Sequence, residues 1–438
     1  MGIKVVKFGG SSLSDAGQFA KVKAIIQSDP ERRFVVPSAP GKRSYKDEKV
    51  TDMLYACHKA VSEGRDFADI FSVIAERYKG ICSELHLAVG IDACLEQVRE
   101  DIASGASADY TASRGEYLNG LVLADYLGFE FVDATDCIKF SKSGKYDEAA
   151  TDAAVTKRLS RTERAVIPGF YGAMPDGSIK TFSRGGSDIS GAIVARAVGA
   201  TLYENWTDVS GFLMADPRIV NNPIPISVIT YTELRELAYM GATVLHEESI
   251  FPVRQACIPI NVKNTNAPDE KGTMIVPDGA DYKPEYAITG IAGRKGFTVI
   301  AIEKDQMNTE VGFAAGVLSA LAENGVSIEH MPTGIDTLSV IVEDKYIEGK
   351  RQNVIESIIK KCNPDSLELE EDFSLIAVVG RGMINKIGTS AKLFSALAMA
   401  DVNVRMIDQG SSEINIIVGV DQEDFNTAVN AIYTAFAK

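Results

Sequence analysis

Histidine and cysteine are sparse: the 438 residues hold four histidines and six cysteines. Cys57, Cys82, Cys94, Cys137, Cys257 and Cys362 are scattered, with no C-x-x-C pair and no zinc pattern with the histidines. A zinc module is excluded, and free thiols in a reducing compartment are expected. No apolar run reaches the roughly 18 residues of a membrane span. The first residues, MGIKVVKFGG, lack the apolar core of a signal peptide and the Arg/Ser-rich pattern of a transit peptide. No membrane partner is expected, and a cytoplasmic location is. Positive charge is also short: 45 Lys plus Arg face 60 Asp plus Glu, a formal net charge of −15. That argues against nucleic acid as a partner but leaves room for a local basic site. With 45% hydrophobic and 24% charged residues, the remaining composition is that of an ordinary globular protein of several domains.

A Walker A loop is missing too. Gly41-Lys42-Arg43, Gly144-Lys145-Tyr146 and Gly349-Lys350-Arg351 have no Ser or Thr next, which excludes a P-loop NTPase. Gly380-Arg381-Gly382-Met383-Ile384-Asn385 nearly makes G-x-G-x-x-G after a strand, and Asp408 stands at a plausible distance for a ribose contact. Its last position is Asn, and too little chain follows for a doubly wound fold, so a turn in a small regulatory domain is preferred.

What is present alternates. Strands are expected at Lys4–Phe8, Arg33–Pro37, Ala165–Pro168 and Leu202–Trp206, and helices at Asp15–Gln27, across 49–104 and at Ser190–Val198. Such βα text implies a mainly parallel sheet sandwiched by helices. The Pro- and Gly-rich stretch Asn264–Pro284 reads as a domain border. Beyond it, two β-α-β-β-α copies follow, with strands at Phe297–Glu303, Leu338–Val342, Leu375–Val379 and Ile414–Val418. A further strand is expected after each of the turns Asn324–Ile328 and Ala400–Met406. The helices fall at Val311–Glu323, Glu348–Lys361, Thr389–Met399 and Asp424–Phe436. The acidic strand Ser366–Leu369 pairs with either copy.

Three segments suit anionic ligands. In Lys7-Phe8-Gly9-Gly10-Ser11-Ser12 a strand delivers a lysine and then bare N–H groups; it is a phosphate cradle or an ordinary β–α turn. In Ser183-Arg184-Gly185-Gly186-Ser187-Asp188 an arginine precedes a helix start, where Asp188 binds or merely caps. Trp206-Thr207-Asp208-Val209 and Asp216-Pro217-Arg218 form a polar strand-end loop or a surface turn.

Together these motifs resemble the aspartate kinases of the amino-acid kinase family. Val50-Thr51-Asp52-Met53-Leu54 and Ser113-Arg114-Gly115-Glu116 are similar to that family's substrate-side motifs, and the tail repeat is similar to its paired ACT domains. The resemblance covers essentially the whole chain. It implies an amino-acid kinase fold over 1–280, then two ferredoxin-like ACT domains at 295–365 and 366–438. Because the chain ends after the repeat, a monofunctional enzyme without a homoserine dehydrogenase is implied. The implied reaction moves the γ-phosphoryl of MgATP to the side-chain carboxylate of L-aspartate, the first step toward lysine, threonine and methionine. Scarce histidine fits, because a carboxylate nucleophile is already ionised at neutral pH.

By the same resemblance Lys7 stabilises the transferring phosphoryl, Gly9, Gly10 and Ser11 cradle phosphates, and Asp188 organises the reaction centre. Arg184 clamps the α-carboxylate and Glu116 receives the ammonium, with Ser38, Thr51 and Ser187 holding substrate. Thr207, Asp208, Asp216 and Arg218 line the nucleotide pocket, and Mg²⁺ rides mainly on the ATP oxygens with few direct protein ligands. The chain departs from the family at Leu213, where an aromatic often sits, at Asn266, where some relatives place a lysine, at Pro37 before Ser38, and at Glu247, where a proline usually follows histidine. His246 is read as structural. An end-product amino acid, lysine or threonine, is expected at the first ACT unit among Met307, Glu310, Gly312, Phe313, Ser327 and Glu329, the two acids suiting a cation. The implied seam between subunits requires a homodimer or a dimer of dimers. A sibling kinase with another carboxylate, phosphate or carbamate substrate, and a catalytically silent sensor, are the alternatives.

Overall fold

The structure is a computed structural model that describes residues 2–437 except Arg184, Thr243, Val244 and His246; of Glu247 and Glu248 it describes the backbone. His246 and Arg184 thus lie outside the described residues. The chain divides into two compact units, one of Met1–Phe212, Pro225–Tyr231 and Thr243–Ala280, the other of Leu213–Ile224, Thr232–Ala242 and Asp281–Lys438.

The first unit is built on an eight-stranded sheet. Its strands are β1 (Lys4–Phe8), β2 (Arg32–Pro37), β3 (Glu130–Phe131), β4 (Ala165–Val166), β7 (Leu202–Thr207), β8 (Val228–Thr230), β9 (Ile260–Asn264) and β10 (Thr273–Val276), with β5 (Tyr171–Ala173) and β6 (Ile179–Thr181) forming a separate hairpin. The order is β3-β4-β2-β1-β7-β9-β10-β8, and every pairing is parallel except β9–β10. β1 is buried from Val5 to Phe8, Lys7 included, because both faces of the strand are covered. The Ala16–Gln27 helix starts where Asp15 accepts the Gln18 N–H at 2.9 Å. Three helices, Val50–Ser62, Ala68–Glu84 and Ile91–Ala103, occupy the expected helical stretch and bury Leu54, Tyr78 and Val98 with Val6, Phe8 and Trp206 in one core. Among the described residues no helix is long and apolar enough to cross a membrane.

Two expectations shift. The stretch read as a border contains β10, which closes the sheet against β8 and β9, so the units part only after Ala280. The small-residue helix opens earlier, at Gly186, with Gly185 as N-cap, which puts Ser187 and Asp188 in its first turn. Asp188 does not cap it, because its carboxylate has another partner.

In the second unit β11 (Gly290–Glu303), β12 (Thr337–Glu343), β13 (Ser366–Val379), β14 (Met406–Asp408) and β15 (Asn415–Asp421) form one antiparallel sheet, ordered β12-β11-β13-β15-β14. β11 and β13 are each 14 residues long and run through both copies of the repeat. Ser366–Leu369 pairs with Ile300–Glu303, and Leu375–Val379 with Gly290–Arg294, which resolves the acidic strand. The strand expected after Ile328 survives only as isolated bridges, His330 to Ile341 and Thr333 to Leu338. Pro332 between them has no N–H to give a ladder. The other copy keeps a strand at this point, β14, starting at Met406. Two cores result, one around Ile300, Val317 and Ile358, the other around Val378, Leu397 and Ile432.

Candidate active site

The parallel register of β1, β2 and β7 sets Phe8 beside Pro37 and Trp206. Three strand ends therefore open at one edge, delivering Gly9, Ser38 and Thr207 side by side, the edge where open α/β sheets bind ligands. Gly9 N–H donates to Trp206 C=O at 2.9 Å and Ser38 N–H to Phe8 C=O at 3.0 Å, continuing the ladders past the strands. Gly10–Leu13 then turns as a short 3₁₀ helix. Gly10 and Gly41 pass each other so closely that a Cβ on Gly10 would sit 2.9 Å from the Ala39 oxygen and one on Gly41 2.6 Å from the Gly10 carbonyl carbon. The glycines of these two loops thus admit each other's backbone.

Lys7 is buried, and its Nζ lies 2.6 Å from Asp188 Oδ1. The same oxygen accepts Asn205 Nδ2 at 2.7 Å. Glu116, on the Ala108–Leu127 helix, is 5% exposed, and its Oε2 has no hydrogen-bond partner among the described residues. Burial pushes its carboxyl up to about 8, against the opposing pull of the Ala39 backbone, its own backbone, the Lys7 charge and the Ser187 side chain. Lys7, Asp188, Ser187 and Glu116 are therefore brought together. Ser187 is itself buried. Ser38 is held through its carbonyl, which accepts Asn119 Nδ2 at 2.6 Å. Thr51 sits half-buried in the first turn of the Val50–Ser62 helix.

The residues expected around the nucleotide divide. Thr207 and Asp208 share a 3.2 Å hydrogen bond in the first unit. Asp216 and Arg218 belong to the second unit, where the guanidinium forks onto the carboxylate and holds it below the usual range. Asn266 is exposed, and its Oδ1 accepts Lys21 Nζ at 2.7 Å and Gln18 Nε2 at 3.1 Å. Among the described residues no group of three or more His, Cys, Asp or Glu is placed to hold a metal ion.

In the second unit Met307 and Phe313 are core residues, while Gly312 takes a left-handed φ of 94° to start the Phe313–Glu323 helix. Both acids expected to meet a cationic effector already have partners. Glu310 lies 2.7 Å from Lys304 Nζ; Glu329 accepts Tyr239 Oη at 2.6 Å and lies 3.4 Å from Arg294. Ser327 is exposed.

Sequence reasoning passed over three residues of this site. Asn205 looked like strand text. Asn119 lay inside a helix. Arg77 left a signal, standing on the apolar face of its helix between Ile74, Tyr78 and Ile81. Its guanidinium donates to the Gly41 carbonyl at 2.9 Å and to Asp47 Oδ1 at 2.6 Å, fixing the loop opposite Gly10.

A mainly parallel sheet with a buried lysine at its glycine-rich edge, followed by an antiparallel repeat sheet, defines a small-molecule kinase with a regulatory tail. The sequence profile of the amino acid kinase family matches residues 2–264, and that of an ACT domain matches 376–436. The chain belongs to the amino acid kinase family, and within it to the aspartokinases. It is 37% identical to Aspartokinase 3 of Bacillus subtilis (strain 168) over 452 residues, 99% of this chain and 98% of that protein. The crystal structure of Clostridium acetobutylicum aspartate kinase matches at TM-score 0.92 and 55% identity, covering 100% of both chains. Aspartokinase III of E. coli, solved with aspartate and ADP in an R-state and with lysine and aspartate in a T-state, matches at 0.74 and 0.75. Identity is 25% in each case, again over 100% of both chains.

Proposed function

We infer that this protein is an aspartate kinase that transfers the γ-phosphoryl of MgATP to the side-chain carboxylate of L-aspartate, giving 4-phospho-L-aspartate and ADP. The observation that carries the reading is the buried Lys7–Asp188 pair at the glycine-rich sheet edge, with Glu116 and Ser187 beside it.

A carboxylate oxygen of aspartate attacks the γ-phosphorus, and the bond from that phosphorus to the β,γ-bridging oxygen breaks. No proton need move, because the nucleophile is ionised at neutral pH. The work is positioning and charge stabilisation. The Lys7 ammonium meets the charge on the transferring phosphoryl, and Gly9, Gly10 and Ser11 offer donors to the phosphates. Asp188 aims Lys7. Glu116 takes the substrate ammonium, Arg184 the α-carboxylate, and Ser38, Thr51 and Ser187 the remaining polar atoms. Thr207 and Asp208 serve the nucleotide. Mg²⁺ rides on the ATP oxygens and supplies charge neutralisation there. The catalytic domain takes residues 1–280 and the ACT domains 295–365 and 366–438. Feedback by an end-product amino acid, lysine first, acts at the ACT domains. The enzyme works in the cytoplasm as a homodimer or a dimer of dimers.

The test is acyl-phosphate formation from aspartate and MgATP, trapped with hydroxylamine, with and without lysine or threonine. Product with aspartate and about 10²–10³-fold less from Lys7→Ala is expected. Product only with another acid would reassign the substrate, and no product with any acid would favour a silent sensor.

A further inference from the structure

Asn205 lies in β7 and is 2% exposed. The parallel register of β1 and β7 sets it beside Lys7. Paired residues of adjacent strands present their side chains on the same face of a sheet, so both meet the first turn of the Gly186–Ala197 helix from one side. Asn205 Nδ2 donates to Asp188 Oδ1 at 2.7 Å, the oxygen that also receives Lys7 Nζ at 2.6 Å. Two residues earlier on the same strand face, Tyr203 Oη donates to the Asp188 backbone carbonyl at 3.0 Å. One strand thus grips Asp188 at both its carboxylate and its main chain.

A carboxamide brings a donor without bringing a charge. A lysine at this position would compete with Lys7 for the carboxylate, and an aspartate would repel it. With the carboxylate pinned, the ammonium of Lys7 is held through one of its three hydrogens and keeps the others for acceptors beyond the strand end. An unpinned Asp188 would follow Lys7 toward anionic reactants and set a like charge beside them. We propose that Asn205 is a positioning residue of the phosphoryl-transfer step, holding the Asp188 carboxylate so that the Lys7 ammonium is aimed at the transferring phosphoryl. This rests on the roles given to Lys7 and Asp188 above.

The experiment is steady-state kinetics of the full-length protein carrying Asn205→Ala or Asn205→Asp, with Lys7→Ala alongside. Loss of a hydrogen bond to a charged group lowers kcat about 10- to 100-fold in Asn205→Ala, while KM for aspartate and ATP moves less than about threefold. Asn205→Asp is isosteric and keeps the packing should the alanine variant fail to fold. Its carboxylate repels Asp188 at neutral pH, but at lower pH the two share a proton and a donor returns. Its activity relative to the parent therefore climbs as pH falls from about 8 to about 6. In an Asp188→Asn background, Asn205→Ala adds little further loss. Parental kcat in Asn205→Ala and Asn205→Asp overturns the proposal. So does a kcat loss matched by KM increases with no recovery of Asn205→Asp at low pH. An active Lys7→Ala means that the reading of the reaction centre has failed; an inactive Lys7→Ala beside a normal Asn205→Ala means that only the role of Asn205 has.

Discussion

Glu116 is a carboxyl group that is almost wholly buried, and that placement has two measurable consequences. Its pKa is raised to about 8 chiefly by burial, so the carboxyl is mostly protonated at neutral pH until a cation pairs with it. In the role proposed for Glu116, a substrate ammonium binds the ionised form and must displace that proton. KM for aspartate is expected to fall as pH rises from about 6 to about 9, and Glu116→Gln to raise KM and flatten the profile. Stability moves the opposite way. Between the ordinary carboxyl pKa and about 8 the folded protein binds more protons than the unfolded chain, so stability is lost as pH climbs through this window. Thermal unfolding without substrate should show the parent losing Tm toward about pH 9, with Glu116→Gln losing less. The residue type and position of Glu116 were legible in Ser113-Arg114-Gly115-Glu116 through family resemblance. Its perturbed acidity was not, because burial is a property of the surrounding helices. Asn205 was illegible for a related reason: what makes it important is a strand register.

At the scale of elements, the glycine-rich sheet edge depends on two loops whose backbones nearly touch. Gly41 N–H donates to Gly10 C=O at 2.8 Å, and Arg77 holds the Gly41 carbonyl from the far side. Gly10→Ala would force a methyl to 2.9 Å from Ala39 O and 3.1 Å from Gly41 N and Cα, all backbone atoms that cannot swing aside. The two loops must separate, at about 1–3 kcal/mol of stability. Calorimetry should show the drop in Tm, and kinetics a KM for ATP that rises more than that for aspartate. The glycines were visible as a pattern that permits phosphate approach; their approach to one another needed the pairing of β1 with β2. Among the regulatory strands, the apolar text of Phe297–Glu303 and Leu375–Val379 was readable, but not that each belongs to a 14-residue strand running through both copies. Charged Glu368, Glu370 and Glu371 break the hydrophobic signal in the first half of β13 because every residue there is half-buried or exposed, none buried.

At the scale of the molecule, the charges in the first ACT unit bear on which amino acid regulates the enzyme. Glu310 and Glu329 are the acids expected to meet a cationic effector, and Lys304 and Arg294 already stand beside them. A lysine side chain must take over one of these partnerships, exchanging one ion pair for another with little net Coulomb gain. Its binding free energy must come instead from contacts made in one arrangement of the protein and not in the other. Linkage then fixes the sign of everything measured together: if lysine lowers the affinity for aspartate, aspartate lowers the affinity for lysine by the same factor. Calorimetric titration of lysine into the protein, with and without saturating aspartate and an unreactive ATP analogue, should give a dissociation constant about 5- to 150-fold weaker in their presence. Glu329→Gln should weaken lysine in both titrations, and raise the lysine concentration that halves activity by a matching factor. A lysine affinity indifferent to both Glu329→Gln and the substrates would place the effector elsewhere. The same titration with threonine, which carries no side-chain cation and does not compete with Lys304 or Arg294, separates an acid-directed site from one that reads only the α-amino and α-carboxylate groups.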